Sequence, residues 1–348
     1  MATINDVAKR AGVSRMTVSR AINNTGYIRQ ETRERIFEAI SALKYRPNLV
    51  AKSLVTRRNL TIAYAMVNIS DPFHNLVSQG IESVAFKSRY TTMMCDAHSP
   101  RRELDYIDLF LDHRLGGVIF HHMAISQAQA NELVESGVQC VMMDNEEDLE
   151  NISAVNTDNY LGGAMAAEYL FSRGHRRIGC VHGTLERPAR GDGPNGEIPH
   201  EDTFQFRLWQ ERTRGFEDGM RALGLVPAGL FQGNGRFDCM VRRSEAIAEA
   251  VLGMADRPTA LYCENDMIAI AMLHALLRRG ARVPEDIALI GHDGLDLCGM
   301  VLPNITTIAQ PRFEMGQTAA RLLIEQIEEG AAPQRVLLKP TLQKGETA

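Results

Sequence analysis

Residues 3–28 read TINDVAKRAGVSRMTVSRAINNTGYI and predict two short helices joined by a tight turn. Thr3 can cap the first helix, because its side-chain oxygen can accept a hydrogen bond from a backbone N–H of the first turn. Gly12 suits the left-handed conformation with which many helices end. Ser14 is placed to cap the second helix, whose apolar side includes Val18. A short helix set across a glycine turn from another is the arrangement that reads the DNA major groove.

Charge is distributed unevenly along the chain. Residues 1–58 contain 12 lysines and arginines against four aspartates and glutamates, a formal charge of +8, whereas the whole chain carries −5. A basic end on an otherwise acidic chain favours binding to a polyanion. An ordinary surface hairpin of two helices, with a solvated basic face, is the alternative. Because the charge coincides with the groove-reading arrangement, DNA binding is favoured.

A third helix is predicted over residues 30–43. Its apolar side chains recur at helical spacing and close a three-helix core; they are Ile36, Phe37, Ile40 and Leu43. Residues 48–55 follow Pro47 and could form about two helical turns, too few to be stable alone in water. A plain linker is the alternative for this segment.

From Leu60 onward, short apolar runs alternate with amphipathic segments, which predicts buried parallel strands with helices on both faces, in one large sheet or two smaller ones. The predicted strands are 60–67, 91–97, 116–120, 139–144, 153–158, 176–183, 259–265 and 287–294. The predicted helices are 74–88, 126–136, 159–173, 239–253 and 266–279. Polar residues gather at the carboxyl ends of strands, where such sheets bind ligands. They are Asp71, Asp144, Arg187, Asn265, Asp266 and Asp293.

Composition excludes several classes of protein. With 348 residues, 45% hydrophobic and 23% charged, the chain is typical of a globular protein of two or three domains. No apolar run is long enough to span a membrane and no signal peptide is evident, so a cytoplasmic protein is expected. The six cysteines are scattered singly without metal-ligand spacing and are expected to be reduced; they are Cys95, Cys140, Cys180, Cys239, Cys263 and Cys298.

Motifs for catalysis are absent from the sequence. It contains no phosphate loop, nucleophile elbow or metal-spaced set of histidines and cysteines, so no enzymatic activity, cofactor or metal ion is expected. The glycines of residues 191–196 spell G-x-G-x-x-G, but they do not directly follow a strand, and Pro194 interrupts them. His121 and His122 are adjacent at a strand end, where alternation predicts one packed and one solvated ring.

Motifs along nearly the whole chain resemble the lactose-repressor (LacI/GalR) family of bacterial regulators. In chain order they are TINDVAKRAGVSRMTVSRAIN (3–23), TRERIFEAISALKYRPNLVAKSL (32–54), GHRRIG (174–179), RPTALYCENDMIA (257–269), VPEDIALIGHDG (283–294) and LPNITTIAQP (302–311). The resemblance implies an N-terminal all-α helix-turn-helix headpiece, a hinge helix, and an α/β two-lobed periplasmic-binding-protein-like core with two parallel doubly wound sheets.

The resemblance also implies domain boundaries. The headpiece would be 1–47 and the hinge helix and linker 48–58. The N-terminal lobe would be 59–160 with 291–322, and the C-terminal lobe 161–290 with 323–344. The chain would cross between the lobes three times.

The family's base-reading positions fall on Arg15, Met16 and Arg20. Arginine can donate two hydrogen bonds to guanine, whereas Met16 offers only an apolar contact, for example to a thymine methyl. Leu54 matches the family leucine that wedges into the minor groove. Contacts to backbone phosphates are expected from Thr17, Ser19, Asn23 and Lys52. By the same resemblance the protein is a homodimer and its operator an approximate palindrome.

The family binds a small-molecule effector, usually a sugar, in the interlobe cleft. The matching positions are Asp71, Phe73, Asp144, Arg187, Arg212, Phe237, Asn265 and Asp266. Carboxylates and arginines can bond sugar hydroxyls, and an aromatic ring can cover a pyranose face. Structural alternatives remain for several positions. Asp144 and Asp293 could cap loops, Asp266 could cap the helix that follows it, and Phe73 and Phe237 could be core residues.

An insertion at residues 188–211 is longer than the matching connection in most of the family and carries Trp209. It is interpreted either as a lid that extends the cleft for a larger ligand or as a surface loop with a small core of its own. Its length leaves open whether Arg212, Arg207 or Arg214 faces the ligand.

The sequence therefore predicts a DNA-binding transcriptional regulator, a repressor of a carbohydrate-utilisation operon that a sugar releases from its operator. A nucleobase- or nucleoside-responsive, co-repressed regulator is the alternative within the family. A solute-binding protein would share the core but has no use for a basic headpiece. The C-terminus shows no heptad segment for tetramer formation, which favours a dimer.

Overall fold

The structure is a computed structural model that describes residues 2–23, 25–45, 59–97, 100–123, 125–145, 149–183, 185–186, 203–204, 207–233 and 237–348. The predicted hinge at 48–58, with Lys52 and Leu54, lies outside the described residues, as do Arg187 and residues 188–202. Contacts divide the chain into two units, Met1–Asn59 and Leu60–Ala348. None of the helices within the described ranges is long and apolar enough to cross a membrane.

The described residues of the first unit form three helices, α1 (Ile4–Ala11), α2 (Arg15–Asn23) and α3 (Gln30–Ala42). The Thr3 side chain accepts a hydrogen bond from the Asp6 N–H, and the Asp6 carboxylate accepts one from the Thr3 N–H. Gly12 ends α1 in the left-handed conformation, with φ 64°. The Ser14 hydroxyl accepts a hydrogen bond from the Thr17 N–H at 3.1 Å. The predicted roles of Thr3, Gly12 and Ser14 at the ends of the two helices are confirmed.

The core of this unit is formed by one face from each helix. Val7, Val18 and Ile36 are fully buried. The prediction that Phe37 joins this core is wrong, because its side chain is 47% exposed. It follows Ile36 directly and so points about 100° further round the helix axis. Ala39, three residues after Ile36, takes the core position instead.

The described residues of the second unit form two six-stranded sheets and a short two-stranded ribbon. The first sheet has the order β2-β1-β3-β4-β5-β13 and is parallel throughout. Its strands are β1 (Thr61–Met66), β2 (Thr91–Asp96), β3 (Gly117–His121), β4 (Gln139–Met143), β5 (Ser153–Thr157) and β13 (Arg335–Leu338). Its helices are α4 (Phe73–Lys87), α5 (Pro100–Asp112), α6 (Gln127–Glu135) and α11 (Arg312–Glu329). We call this sheet with its helices lobe 1.

The second sheet has the equivalent order, β9-β6-β10-β11-β12-β14, with only β14 antiparallel among its described strands. Its strands are β6 (Ile178–His182), β9 (Leu230–Gln232), β10 (Ala260–Cys263), β11 (Ala288–Asp293), β12 (Thr306–Ala309) and β14 (Thr341–Gln343). Its helices are α7 (Asn159–Ser172), α8 (Arg207–Ala222), α9 (Phe237–Gly253) and α10 (Asp266–Arg278). We call this sheet with its helices lobe 2. A short ribbon pairs β7 (Leu185–Glu186) with β8 (Thr203–Phe204).

The chain crosses between the lobes three times, but the predicted division of its C-terminal third is wrong. Strands β11 and β12 extend the second sheet rather than the first. Residues 312–338 belong to lobe 1, because α11 packs on α4 and β13 pairs with β5. The physical reason is the strand pairing: β11 follows β10 through α10 and pairs with it, and β12 pairs with β11, whereas the connections through α7 and α11 pass from one sheet to the other.

Pairs of glycines set the closest helix crossings in both lobes. In lobe 1, Gly80 of α4 lies against the Phe313 carbonyl, and Gly316 of α11 lies against the Val77 carbonyl. In lobe 2, Gly163 of α7 and Gly215 of α8 form the same reciprocal contact, each against a backbone carbonyl of the other helix. A Cβ atom at any of these positions would lie far inside van der Waals distance of backbone, so the helices could not keep this spacing.

We expect Gly163→Ala to lower the free energy of unfolding by roughly 1–3 kcal/mol, the usual cost of overpacking. Gly253→Ala is the matched control, because Gly253 is also helical and a Cβ there would meet nothing within 4 Å. That control should be neutral or stabilising by up to about 1 kcal/mol. Thermal and urea unfolding of the two variants checks this. Equal unfolding curves would contradict the proposed role of the crossing.

Candidate functional site

The exposed face of α2 carries the predicted DNA-contacting side chains. Arg15 and Arg20 are exposed, and Met16 is 64% exposed although it is a large apolar residue. Thr17 and Ser19 are half-buried, and the Thr17 hydroxyl is 2.8 Å from that of Ser14. The side chain of Asn23 is not among those described. The three base-reading candidates therefore share the solvent-facing side of α2, and the opposite side of the helix is buried in the three-helix core.

The lobe 1 wall of the cleft is formed where β1, β3 and β4 end. Asp71 follows β1, and its Oδ1 accepts a hydrogen bond from the Phe73 N–H at 2.9 Å. Phe73 begins α4 and is only 6% exposed, with its ring 5.6 Å from that of His121. This is the core packing that was the alternative for Phe73. Burial raises the pKa of Asp71, although the Phe73 N–H and the positive charges of Arg312 and Arg212 oppose the rise.

A buried hydrogen-bond network lies behind this wall. The Tyr64 hydroxyl is 2.8 Å from Nδ1 of His74 and 2.6 Å from Nδ1 of His121. A hydroxyl has one proton, so it can donate to only one of these rings and accepts from the other. Burial lowers the pKa of His74 well below its ordinary value, with repulsion from His121 adding to the effect. His74 is therefore neutral.

The prediction that the two adjacent histidines point to opposite faces of the strand is wrong, although His121 is fully buried and His122 is partly exposed. Both rings lie on the same side, stacked at 4.2 Å and 25°. His122 has φ 58°, so the alternation of the strand stops there and its ring turns onto that of His121. His122 Nδ1 is 3.0 Å from the Asp144 carbonyl oxygen. Although part of the His122 side chain reaches solvent, desolvation by the surrounding groups lowers its pKa to about 3.

Asp144 follows β4 and is buried, with φ 42°. Its Oδ1 accepts a hydrogen bond from the Thr157 N–H at 2.9 Å, and its Oδ2 is 3.9 Å from His121 Nε2. Burial alone would raise the pKa of Asp144, but His121, His122 and the Thr157 N–H outweigh that effect and lower it. The carboxylate is therefore charged at the cleft wall.

Arg212 is the central residue of the lobe 2 wall and is 2% exposed. Its Nη1 is 3.0 Å from Asp293 Oδ1, and its Nε donates to Asn159 Oδ1 at 2.8 Å. The same guanidinium also donates to the Glu264 carbonyl oxygen. The arginine thus joins the start of α7 to the ends of β10 and β11.

Two buried carboxyls of lobe 2 repel each other, and one of them, Asp293, pairs with this arginine. Asp293 ends β11 with φ 123°, and its Oδ1 also accepts a hydrogen bond from the Gln310 amide at 2.9 Å. Burial raises the pKa of Asp293, although Arg212 opposes the rise and Asp71 across the cleft adds to it. Burial and repulsion by Asp293 raise the pKa of Asp266 as well.

The predicted ligand role of Asp266 does not match its position. The residue is fully buried, and its carboxylate accepts hydrogen bonds from the Leu295 N–H and the Thr307 hydroxyl, both at 2.6 Å. It does not cap the helix either, because the Asn265 side chain accepts from the Ile268 N–H at 2.7 Å and is the N-cap of α10. Asp266 instead connects α10, β12 and the loop after β11.

A cavity of about 320 Å³ lies between the lobes. Asp144, Asn156 and Leu337 line it from lobe 1. Arg207 and Arg214 of α8 line it from lobe 2, with Tyr160 of α7. Its volume lies within the range of small-molecule sites. Arg212 bonds to Asp293, Asn159 and Glu264 and does not line this cavity. The arginines of α8 that line it are Arg207 and Arg214.

Of the two predicted aromatic residues of lobe 2, the side chain of Trp209 is described and that of Phe237 is not. Trp209 is 8% exposed in the first turn of α8, and its ring lies against Gly183 at the end of β6. It is therefore packed on the cleft end of the sheet; the rest of the predicted lid is outside the described residues. Phe237 begins α9, but its side chain is not among those described.

Sequence reasoning missed several cleft residues. Arg312 is 4% exposed at the start of α11, forms an ion pair with Asp296 at 3.7 Å, and donates to the Gly294 carbonyl, so it fastens the second crossing to lobe 2. The histidine cluster was also missed. The sequence signal that could have found His122 is its position as a polar residue directly after an apolar strand. Asp293 shows the same signal: it is named among the polar strand ends but is given no role in ligand binding.

Comparison with known proteins identifies the family. Residues 3–48 match the family described as bacterial regulatory proteins, lacI family. Residues 59–192 match the periplasmic binding proteins and sugar binding domain of LacI family, and residues 167–348 match a periplasmic binding protein-like domain. The chain belongs to the lacI family. The predicted headpiece and two-lobed core are thereby confirmed.

Relatives in this family are similar over nearly their whole length. The chain is 31% identical over 340 residues to the HTH-type transcriptional repressor PurR of Aliivibrio salmonicida, covering 97% of this chain and 95% of that protein. It is 32% identical over 343 residues to that of Aliivibrio fischeri strain MJ11, with the same coverage of 97% and 95%. The protein is therefore a DNA-binding transcriptional repressor of the lacI family, and its relatives are regulators rather than enzymes.

Solved structures share the fold. The lac repressor dimer bound to operator and the anti-inducer ONPF has a TM-score of 0.81 at 23% identity, covering 99% of this chain and 98% of that one. The transcriptional regulator CelR–cellobiose complex has a TM-score of 0.69 at 25% identity and covers 100% of both chains.

We expect Arg212→Met to lower the free energy of unfolding of the Leu60–Ala348 unit by roughly 3–5 kcal/mol, because Asp293 would remain buried without its counter-charge. Arg282→Ala is the control: Arg282 forms an ion pair with Asp286 at 2.7 Å, but its side chain is 70% exposed. Such an exposed pair contributes little to stability, because solvent screens it. Urea unfolding measures both, and adding Asp293→Asn to Arg212→Met should restore part of the loss. A cost no larger than that of the control would contradict the role of Arg212.

Proposed function

We propose that the protein is a cytoplasmic homodimer whose affinity for a palindromic operator is set by a small polar ligand bound between its lobes. The proposal rests on one observation: the ends of the strands of both lobes bring charged groups to one cleft, with Asp71 and Asp144 on one wall and Asp293 with Arg212 on the other. A ligand that bonds both walls would stabilise the closed arrangement of the lobes. It would act on the DNA through its differential affinity for the two states.

The DNA would be read by α2. Arg15 and Arg20 would donate to guanines, and Met16 would make an apolar contact beside them. Thr17, Ser19, Asn23 and Lys52 would contact phosphates, which position the helix without specifying the sequence. Leu54 of the two subunits would wedge into the minor groove at the centre of the palindrome. The exposure of Arg15, Met16 and Arg20 supports this assignment.

For the ligand class, a nucleobase or nucleoside is favoured over the sugar expected from the sequence. The name PurR of the relatives that match 97% of this chain supports it. Asp144 and the cavity-lining Arg207 and Arg214 provide acceptors and donors for a heterocycle's ring and exocyclic nitrogens. Such a ligand would act as a co-repressor, so that the closed state binds the operator.

A sugar inducer is the second candidate. The similarity to CelR, solved with cellobiose, supports it, at 25% identity over 100% of both chains. The carboxylates of Asp71 and Asp144 are suitable acceptors for sugar hydroxyls. Either ligand would also contact Arg187 and Phe237, which match effector-binding positions of the family. The 188–211 insertion would act as a lid over the ligand.

Selection of genomic fragments by the purified protein tests the DNA-binding half of the proposal. We expect enrichment of a palindrome of about 14–20 base pairs, the spacing of two major-groove half-sites. Arg20→Ala should weaken binding to that palindrome by about 5- to 150-fold, corresponding to 1–3 kcal/mol for a lost base contact. Arg35→Ala, an exposed arginine of α3, is the control and should change specificity little. Binding without any sequence preference, in wild type and variants alike, would contradict the proposal.

Operator binding in the presence of ligand pools tests the effector. A purine pool should strengthen binding of the wild-type protein to the selected palindrome. Weaker binding in a sugar pool, with no effect of purines, would replace the first candidate by the second. If neither pool changes operator affinity or the melting temperature, ligand control through the cleft by these two classes is contradicted.

A further inference from the structure

Three side chains of types that can bind metal ions lie close together at the lobe 1 wall of the cleft. His121 ends β3, His122 follows it, and Asp144 comes directly after the neighbouring strand β4. One potential ligand atom from each lies within 4.8 Å of the other two. A zinc ion with nitrogen and oxygen ligands at about 2.0–2.2 Å holds them roughly 3–4 Å apart, so small side-chain rotations would bring all three into range.

The backbone places these groups together at an energetic cost. His122 and Asp144 both have positive φ, 58° and 42°, a conformation that side chains other than glycine seldom adopt. Residues held in this conformation store strain, and they tend to cluster at functional sites. In a regular strand His122 would point away from His121. Its left-handed conformation turns the ring to the side that Asp144 also faces.

Hydrogen bonds fix the ring orientation of both histidines in the cluster. A carbonyl oxygen only accepts, so the contact of His122 Nδ1 with the Asp144 carbonyl places the proton on Nδ1 and a lone pair on Nε2. His121 Nδ1 is held by the Tyr64 hydroxyl at 2.6 Å. His121 Nε2 is fully buried and has no hydrogen-bond partner within the described part of the chain. It points toward Asp144 Oδ2 at 3.9 Å.

We propose that His121, His122 and Asp144 form a binding site for a divalent transition-metal ion, with zinc as the best match to the ligands. Two imidazoles and one carboxylate suit zinc and its neighbours, whereas calcium and magnesium prefer oxygen ligands. Three protein ligands leave a coordination position open, as in non-structural zinc sites. Because Asp144 also lines the interlobe cavity, that position is available to an oxygen or nitrogen of the cleft ligand.

Tyr64 acts in this site as a positioning residue. Histidines that bind metals usually use their second ring nitrogen for a hydrogen bond that fixes the ring, and loss of that partner typically costs 10–100-fold in affinity. The Tyr64 hydroxyl is that partner for His121, and His74 on its other side holds the hydroxyl in turn.

Cobalt and zinc titration of the untagged, chelator-stripped full-length protein tests the proposal. We expect saturable binding of a single Co²⁺ ion with a visible d–d band, which Zn²⁺ then abolishes by displacement. No sulfur-to-cobalt charge-transfer band should appear, because the proposed ligands include no cysteine. His122→Gln and Asp144→Asn should remove the band, and Tyr64→Phe should weaken binding by about 10–100-fold. His182→Gln, at the end of β6 in the other lobe, is the control and should bind like the wild type.

The proposal is overturned if the wild type binds no Co²⁺ saturably, if the band persists in His122→Gln, or if a thiolate band accompanies it. His122 is partly exposed, so its replacement should leave the melting temperature near that of the wild type, which distinguishes loss of the site from loss of the fold. Operator binding measured in chelator is a separate readout. Failure of the metal site therefore leaves the DNA-binding proposal standing, and the reverse also holds.

Discussion

The buried guanidinium of Arg212 is the interaction on which the cleft depends. It joins Asn159, at the first crossing between the lobes, to Asp293 and to the Glu264 carbonyl at two strand ends of lobe 2. These groups are polar and buried, so without the arginine each would lose a partner that water cannot replace. Arg312 makes the corresponding connection at the second crossing. The lobe 2 side of the cleft is thus bounded by arginines that are paired with groups of the protein.

Each lobe contains a helix that directly follows a crossing of the chain between the lobes. The first crossing brings α7 into lobe 2 and the second brings α11 into lobe 1. There each helix packs through a glycine pair on the helix that follows the lobe's first strand. The first and third crossings are also hydrogen-bonded to each other, from the Asp158 N–H to the Leu338 carbonyl at 2.8 Å. A change in lobe angle must therefore be absorbed at a few adjacent residues, as in hinged proteins.

Local patterns predicted the elements well and the long-range assignments less well. The apolar runs around Ile62 and Leu289 are strands because buried parallel strands need continuous apolar sequence, and Thr3 and Gly12 bound α1 through chemistry that is local. The assignment of 291–322 to lobe 1 rests on resemblance alone, whereas the pairing of β11 with β10 and of β12 with β11 places both strands in lobe 2. The paired histidines were misread because alternation holds only inside a strand, and His122 lies one residue beyond it in a left-handed conformation.

The most direct test of this account is the coupling between the two binding sites. The operator dissociation constant is measured with and without a saturating cleft ligand, and the ligand dissociation constant with and without operator. Linkage requires the two ratios to be equal, and couplings of this kind typically amount to about 5–150-fold. The account predicts equal ratios well above one in the wild type. An operator affinity that does not change while the ligand demonstrably fills the cleft would contradict it.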